Sequence, residues 1–343
     1  MDRFYISSKE GVSGICKYSN DFYELVLKEK RYTFLESSSV AVNPLEQLNP
    51  EDRVHIEIGL FQKNEIDILF TLLKNNFKNV SITVHDPPLV KYPFYEFGNS
   101  FINKISKFYD RYFPASASAK SKLKKVKAIY CLSQKGLRGL QQRYGLDNVT
   151  LLPHIINSKE IEVPEITGSD FVYFGFIGRN KGIEYALKLH QTVTKVNPGS
   201  RFYVVGTALG KEIKYYDYLK KTYNENVEYL GYVPTDKLAE VFSKATFAPL
   251  FFNDYKFYHP FSGSILFSLL KGKIVLTNSA NTSTEIIRNG SNGFCLTGDL
   301  KKDTSTVLTL VNNKNLLKDI QSNIPEYLMN NFSAEKVKLS FEN

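Results

Sequence analysis

One stretch constrains the fold of this 343-residue chain more than any other: Phe171 to Glu184, F-V-Y-F-G-F-I-G-R-N-K-G-I-E. Phe171 to Gly178 carry no charge and favour β-structure, which predicts a strand covered on both faces. Gly178 ends the run, Arg179 and Lys181 follow, and Gly182 leads into I-E-Y-A-L-K-L-H, an amphipathic helix pattern. A strand, a tight basic turn and a helix in that order form an anion site. Backbone N–H groups and the helix dipole face the ligand, with two cations beside them. The simplest such anion is a phosphate or diphosphate. An ordinary strand–helix connection with solvated charges accounts for the same residues.

The totals bound the rest. A chain of this length predicts two domains, each able to bury its own core. The 44 Lys and Arg against 35 Asp and Glu give +9, which favours anionic partners without choosing among nucleotide, nucleic acid and acidic membrane. Cys16, Cys131 and Cys295 are far apart and odd in number, so neither a metal site nor a disulfide framework follows, and a reducing cytoplasm is expected. The opening M-D-R-F-Y-I-S has no signal-peptide core, and no apolar run approaches the ~20 residues of a membrane span. The expectation is a cytoplasmic protein, with peripheral attachment to the inner face of the membrane as an option.

In the first half, Arg3 to Ser7 is an expected strand, followed by a glycine-containing loop, Gly11 to Gly14. A helix with Ile15, Tyr18, Phe22, Leu25 and Val26 on its apolar face comes next. The glycines allow close backbone approach to a ligand, and a plain turn explains them equally well. Strands are expected at Val54–Leu60 and Val80–Val84, with a helix from Gln62 to Lys74 between them. His85 and Asp86 then stand at the carboxyl end of a parallel strand, where open α/β sheets place ligands, and Pro87 and Pro88 delay the next helix. Residues 97–127 are basic and aromatic. Lys104, Lys107, Arg111, Lys120, Lys122, Lys124, Lys125 and Lys127 face only Asp110. This suits an anionic membrane surface, while Phe101, Ile105, Phe108 and Tyr112 equally fit a core-facing helix with a solvated basic side. No nucleic-acid-binding module accompanies the charge, and none is expected. Val126–Leu132 is a further strand, Ser133 an expected N-cap, and Val149–Leu152 another strand. The polar stretch from Ser158 to Asp170 is the expected linker.

In the second half, strands are expected at Arg201–Val205, Asn226–Leu230, Ala245–Phe251 and Ile274–Thr277. Thr235 is the expected N-cap of D-K-L-A-E-V-F-S-K, and a loop ending F-S-G-S opens the helix I-L-F-S-L-L-K-G. Strands alternate with helices throughout, so the class is α/β, two Rossmann-like doubly wound domains with their strand ends facing a cleft. The tail after Asn315 is expected to be helical with a break at Pro325.

Together these segments resemble the GT-B glycosyltransferases, and most closely the retaining, nucleotide-sugar-dependent glycosyltransferase family 4. F-I-G-R-N-K-G-I-E-Y is similar to that family's phosphate turn. F-Y-V-V-G and V-E-Y-L-G-Y-V-P-T-D-K-L-A-E-V-F-S-K-A resemble the units flanking the base, G-I-C-K-Y the N-terminal donor loop, and T-V-H-D-P the His-Asp turn. The resemblance implies domains at 1–160 and 161–330, with 331–343 crossing back as a C-terminal helix. It implies that Gly14 approaches the donor phosphates, that His85 contacts the transferred sugar with Asp86 beside it, and that Arg179 and Lys181 stabilise the departing diphosphate. Ser262, Gly263 and Ser264 would meet the phosphates at a helix N-terminus, and Gly206 and Tyr232 would line the base. The implied partners are a UDP- or GDP-linked sugar and a glycan or lipid-linked acceptor of bacterial surface polysaccharide, with no cofactor, no metal and no nucleic acid. Two departures stand out. The family's pair of glutamates is replaced by His259 and Phe267, and Phe267 cannot accept hydrogen bonds from a ribose. Arg179 and Lys181 are also closer together than usual. Donor binding is then either rebuilt, with His259 in the loop, or weakened. A non-catalytic GT-B partner subunit is the alternative, and a GT-B sugar epimerase a weaker one.

Overall fold

The structure, a computed structural model, describes residues 1–341 except 10–13, 60, 61, 89, 91–116, 167 and 254–258, with backbone alone at 117–119, 235 and 236. The chain divides into two compact units. The first holds Met1–Asn157 together with residues 259–261 and 332–341. The second holds residues 158–253 with Ser262–Asn331.

Six parallel strands build the first unit: β1 (Arg3–Ser7), β2 (Thr33–Glu36), β3 (Arg53–Ile58), β4 (Val80–Val84), β5 (Ala128–Cys131) and β6 (Val149–Leu151). Their order across the sheet is β2-β1-β3-β4-β5-β6. Alternation along a strand separates two cores. Ile6, Val54, Ile56, Ile58, Ile82, Val84 and Ile129 face the helix Lys63–Lys74 through Ile66, Leu69, Leu72 and Leu73. Tyr5 and Tyr130 join the other core with Tyr18 and Phe22 of the helix Gly14–Phe22, closed by Phe341. Phe341 packs edge-on against Phe22 and His55, at 5.1 and 5.0 Å between ring centres.

The second unit repeats the plan with β7 (Phe171–Phe174), β8 (Phe202–Val205), β9 (Val227–Gly231), β10 (Phe247–Pro249), β11 (Ile274–Thr277) and β12 (Gly293–Cys295), in the order β12-β11-β10-β7-β8-β9. β8 and β11 are buried along their whole length, as strands covered by helices on both faces must be. The edge strand β9 alternates half-buried and exposed residues.

Four expectations are corrected. The strand after the linker spans four residues rather than eight. At Gly175 the backbone turns into the left-handed region, φ +137°, and leaves the pleat. Ladder bonds nevertheless continue from Gly175 N–H to Val205 O and from Ile177 N–H to Thr207 O. β2 was not expected, because T-F-L-E is short and lies at a sheet edge. The helix Thr235–Lys244 starts at Thr235 itself, with Pro234 at the cap position. Pro325 does not break the tail: the helix Lys314–Phe332 runs through it. The packing of Ile320, Ile324 and Leu328, all buried, offsets the one lost backbone bond. Of the basic–aromatic stretch, residues 97–116 lie outside the described residues. Beyond them, Leu123 and Val126 are buried, while Lys124, Lys125 and Lys127 are exposed. Among the described residues no helix is long and apolar enough to cross a membrane.

One contact sets the geometry of the second sheet. Gly206 has φ +144°, and a Cβ there would sit 1.9 Å from the carbonyl oxygen of Gly175. Gly206→Ala is expected to cost about 3 kcal/mol from strain and steric overlap. Denaturant unfolding should show this as a lower midpoint at unchanged slope.

Candidate functional site

In the second unit, the carboxyl ends of β7 and β8 gather most of the residues singled out above. Gly178, Arg179, Asn180 and Lys181 form a tight turn closed by Lys181 N–H to Gly178 O at 2.9 Å. Gly182 follows at φ +59°, where a Cβ would lie 2.7 Å from both Cβ and O of Phe251, so only glycine lets the turn seat on the chain after β10. Asn253 pins the turn by donating from its backbone N–H to Asn180 O and from its side chain to Arg179 O, each at 3.1 Å. The helix Ile183–Thr194 then begins, aiming its positive end back at the turn.

Both cations of the turn lie over aromatic rings. The Arg179 guanidinium is 4.5 Å from the ring centre of Tyr215, and Lys181 Nζ is 5.5 Å from that of Phe252. Burial, with Glu184 nearby, pushes the Tyr215 hydroxyl up to about 12, so its ring stays neutral beneath the cation. Glu212 accepts from Arg179 N–H at 3.1 Å, so a carboxylate already uses one backbone donor of the turn. Ser262 caps the helix Gly263–Leu270. That N-terminus adjoins β7, because a Cβ on Gly175 would lie 3.8 Å from Ser264 Cβ. Gly206 N–H donates to Gly231 O at 2.8 Å, which places exposed Tyr232 beside the end of β8. Phe267 stacks on Phe174 at 4.6 Å between ring centres, an apolar surface with no acceptor.

His85, Asp86 and Gly14 all belong to the first unit. His85 N–H donates to Ile58 O at 2.9 Å. Gly59, next in the chain, packs so tightly that a Cβ would lie 2.3 Å from Ile15 Cδ1. Gly14 opens its helix, and a Cβ there would meet nothing within 4 Å. His259 belongs to this unit, its N–H donating to Pro87 O at 2.6 Å.

The residues missed from sequence lie beneath His85. Glu57 is fully buried and accepts from His85 Nε2 at 2.7 Å and from Tyr5 Oη at 2.9 Å. His55 Nε2 is 3.3 Å from its other oxygen, and His55 bonds Thr83 Oγ1 and Ser81 Oγ at 2.9 Å each. Burial alone would raise the Glu57 carboxyl, but hydrogen bonds from His55 and His85 outweigh it and hold it at about 2. Tyr18 stands edge-on to both His85 and His154, 4.9 Å from each, and His154 stacks on Phe261. Burial lowers His154 to about 4, so it is neutral near pH 7. The signal was present in R-V-H-I-E-I, where His55 and Glu57 alternate with apolar residues inside a strand buried on both faces. Among the described residues no group of three His, Cys, Asp or Glu side chains could hold a metal ion.

With this geometry in place, the comparisons with known proteins define a class. Residues 168–313, most of the second unit with residues 259–261 of the first, match the protein-family model described as Glycosyl transferases group 1. Among solved structures, the chain is similar to sucrose-phosphate synthase from Thermosynechococcus elongatus, with TM-score 0.73 and 14% identity over 98% of this chain and 96% of that one. It is similar to HepE from Anabaena in complex with UDP, with TM-score 0.71 and 14% identity over 99% and 98%. It is also similar to S. aureus TarM in complex with Fondaparinux, alpha-GlcNAc-glycerol and UDP, with TM-score 0.64 and 14% identity over 89% of this chain. The chain spans 58% of the length of that TarM structure. No curated protein sequence matches it. The fold is therefore GT-B, two six-stranded parallel α/β units, and its second unit carries the match to group 1 glycosyl transferases.

The buried histidines set an acid limit on stability. His154 and His190 are both lowered to about 4, chiefly by burial, from an ordinary value of 6.5. A lowered folded-state value means that the unfolded chain binds more protons between those limits. Stability is therefore expected to fall as pH drops from about 6.5 to about 4, with Glu57 adding a further loss between about 4.5 and 2. Thermal unfolding across this range should show a weaker pH dependence for His190→Gln, whose share is at most about 3 kcal/mol.

Proposed function

We propose that this chain is a glycosyltransferase that moves a sugar from a nucleotide-diphosphate donor, UDP- or GDP-linked, to a glycan or lipid-linked saccharide of bacterial surface polysaccharide. The observation that carries the reading is the Gly178–Gly182 turn, with Arg179 and Lys181, inside the segment matching group 1 glycosyl transferases. HepE in complex with UDP-glucose and TarM in complex with UDP support the donor class.

In this reading the diphosphate sits against the turn and the capped end of Gly263–Leu270. Arg179 and Lys181 balance the charge that grows on the leaving group as the glycosidic bond breaks. Because the rings beneath them hold both cations in place before the ligand arrives, little reorganisation is needed during the reaction. His85 and Asp86 meet the transferred sugar, and Tyr232 covers the base. The acceptor oxygen bonds to the anomeric carbon on the face from which the diphosphate leaves, which gives retention, and the departing phosphate takes the hydroxyl proton, so no protein base is needed. The reaction so drawn needs no metal. Attachment to anionic membranes through the basic stretch ending at Lys127 belongs to the same proposal. A non-catalytic partner subunit is the second reading, favoured by the apolar stack of Phe267 on Phe174.

A thermal-shift panel of UDP, GDP, ADP, CMP and their sugar conjugates separates the two. A ligand at about a hundred times its Kd adds about 2.7 kcal/mol of stability. One nucleotide is expected to stabilise the wild type, and the effect should disappear in Arg179→Ala and Lys181→Ala. Silence across the panel at millimolar concentration would transfer the case to the partner subunit.

A further inference from the structure

Resting on the reading that His85 faces the transferred sugar, we propose that Glu57 is a positioning residue that fixes His85 as a hydrogen-bond acceptor. The ligand group that meets His85 is then a hydroxyl and not a phosphate oxygen.

The inference follows from hydrogen-bond polarity. An ionised carboxylate only accepts, and Glu57 Oε2 lies 2.7 Å from His85 Nε2, so His85 carries a proton on Nε2 that points inward. In a ring that holds this one proton the lone pair is on Nδ1. The ring cannot easily reverse this arrangement. His85 N–H is held by Ile58 O, and Tyr18 stands against the ring edge at 4.9 Å. Glu57 cannot rotate away, because its other oxygen holds Tyr5 Oη at 2.9 Å and His55 Nε2 at 3.3 Å. His55 is in turn tied to Ser81 and Thr83. Five side chains on three strands thus support one imidazole from below, while His85 itself stands at the strand end, 8% exposed. A phosphate oxygen offers no proton to Nδ1, whereas a sugar hydroxyl can donate one. Second contacts of this kind set ring tautomers in other histidine sites.

The test is nuclear magnetic resonance of the full chain labelled with 15N-histidine at pH 7.5, where long-range proton–nitrogen spectra report the protonation of each ring nitrogen. The chain has five histidines, and the His85 signal is assigned by its loss in His85→Asn. The wild-type ring is expected to be neutral and protonated at Nε2. In Glu57→Gln one carboxylate oxygen becomes an NH2 donor, and where that group faces His85 Nε2 the ring must accept there, so a population protonated at Nδ1 should appear. A wild-type ring protonated at Nδ1, an imidazolium at this pH, or an unchanged His85 in Glu57→Gln overturns the proposal. If Glu57→Gln does not fold, the wild-type spectrum decides the tautomer and Glu57→Asp takes its place.

Turnover adds a readout that a merely structural role would not move. With the nucleotide sugar identified by thermal shift, Glu57→Gln is expected to lower kcat about tenfold or more while the donor KM stays within about twofold. An unchanged kcat beside an altered tautomer also overturns the positioning role. Failure of the wild type to bind any nucleotide would instead sink the glycosyltransferase reading and leave the tautomer result standing.

Discussion

The second unit depends on a backbone contact that no side chain could survive. Gly206 passes so close to Gly175 that a Cβ would overlap the Gly175 carbonyl oxygen, and both residues occupy left-handed backbone. Two neighbouring parallel strands therefore end at the same level and turn away together. The basic turn follows β7, and its seat on Phe251 again requires glycine, at position 182. The course of the basic turn is thus a consequence of three glycines and two ladder bonds before any charge enters. Arg179 and Lys181 stand on a backbone whose path is already set by main-chain sterics.

The first unit solves a different problem. Its strand-end histidine is held by a buried side-chain network, and such a network is stable only when every member is satisfied. Glu57 meets that demand without a lysine or arginine. Tyr5 and His85 donate to it, His55 Nε2 lies 3.3 Å from it, and Ser81 and Thr83 hold His55. The aromatic side of the sheet, with Tyr18, Phe22, Tyr130 and Phe341 packed around the same residues, removes competing water. Low local dielectric strengthens these bonds and makes the loss of any one of them costly.

Much of the fold was legible in the sequence, because apolar runs of strand length alternated with amphipathic helices in a regular order. β4 and β11 lie where the pattern placed them, and Ser133 and Ser262 cap the helices they precede. Signals failed where tertiary packing outvoted local preference. Pro325 is carried through a helix by its buried neighbours, and Gly175 ends a strand that composition alone would extend to Gly178. Site residues divide in the same way. The turn residues are adjacent in sequence and could be read there. Glu57 and His85 are 28 positions apart, and only the β3–β4 register brings them together. A charged residue inside a buried strand was the available hint, and its partner could not be named without the sheet.

The two units also use charge in opposite ways. In the first, the one carboxylate at the centre of the network is spent internally, since its acceptor capacity is taken by neighbours and its negative charge fixes a ring without reaching solvent. In the second, the cations lie on aromatic faces, where ring quadrupoles orient them but do not cancel their charge. Glu212 goes to the backbone N–H of Arg179 while the guanidinium lies on Tyr215. The geometry of the turn is therefore settled by the protein's own contacts. Replacing either aromatic support would leave the formal charge intact and loosen its position, so the rings under Arg179 and Lys181 belong to the site as much as the cations do.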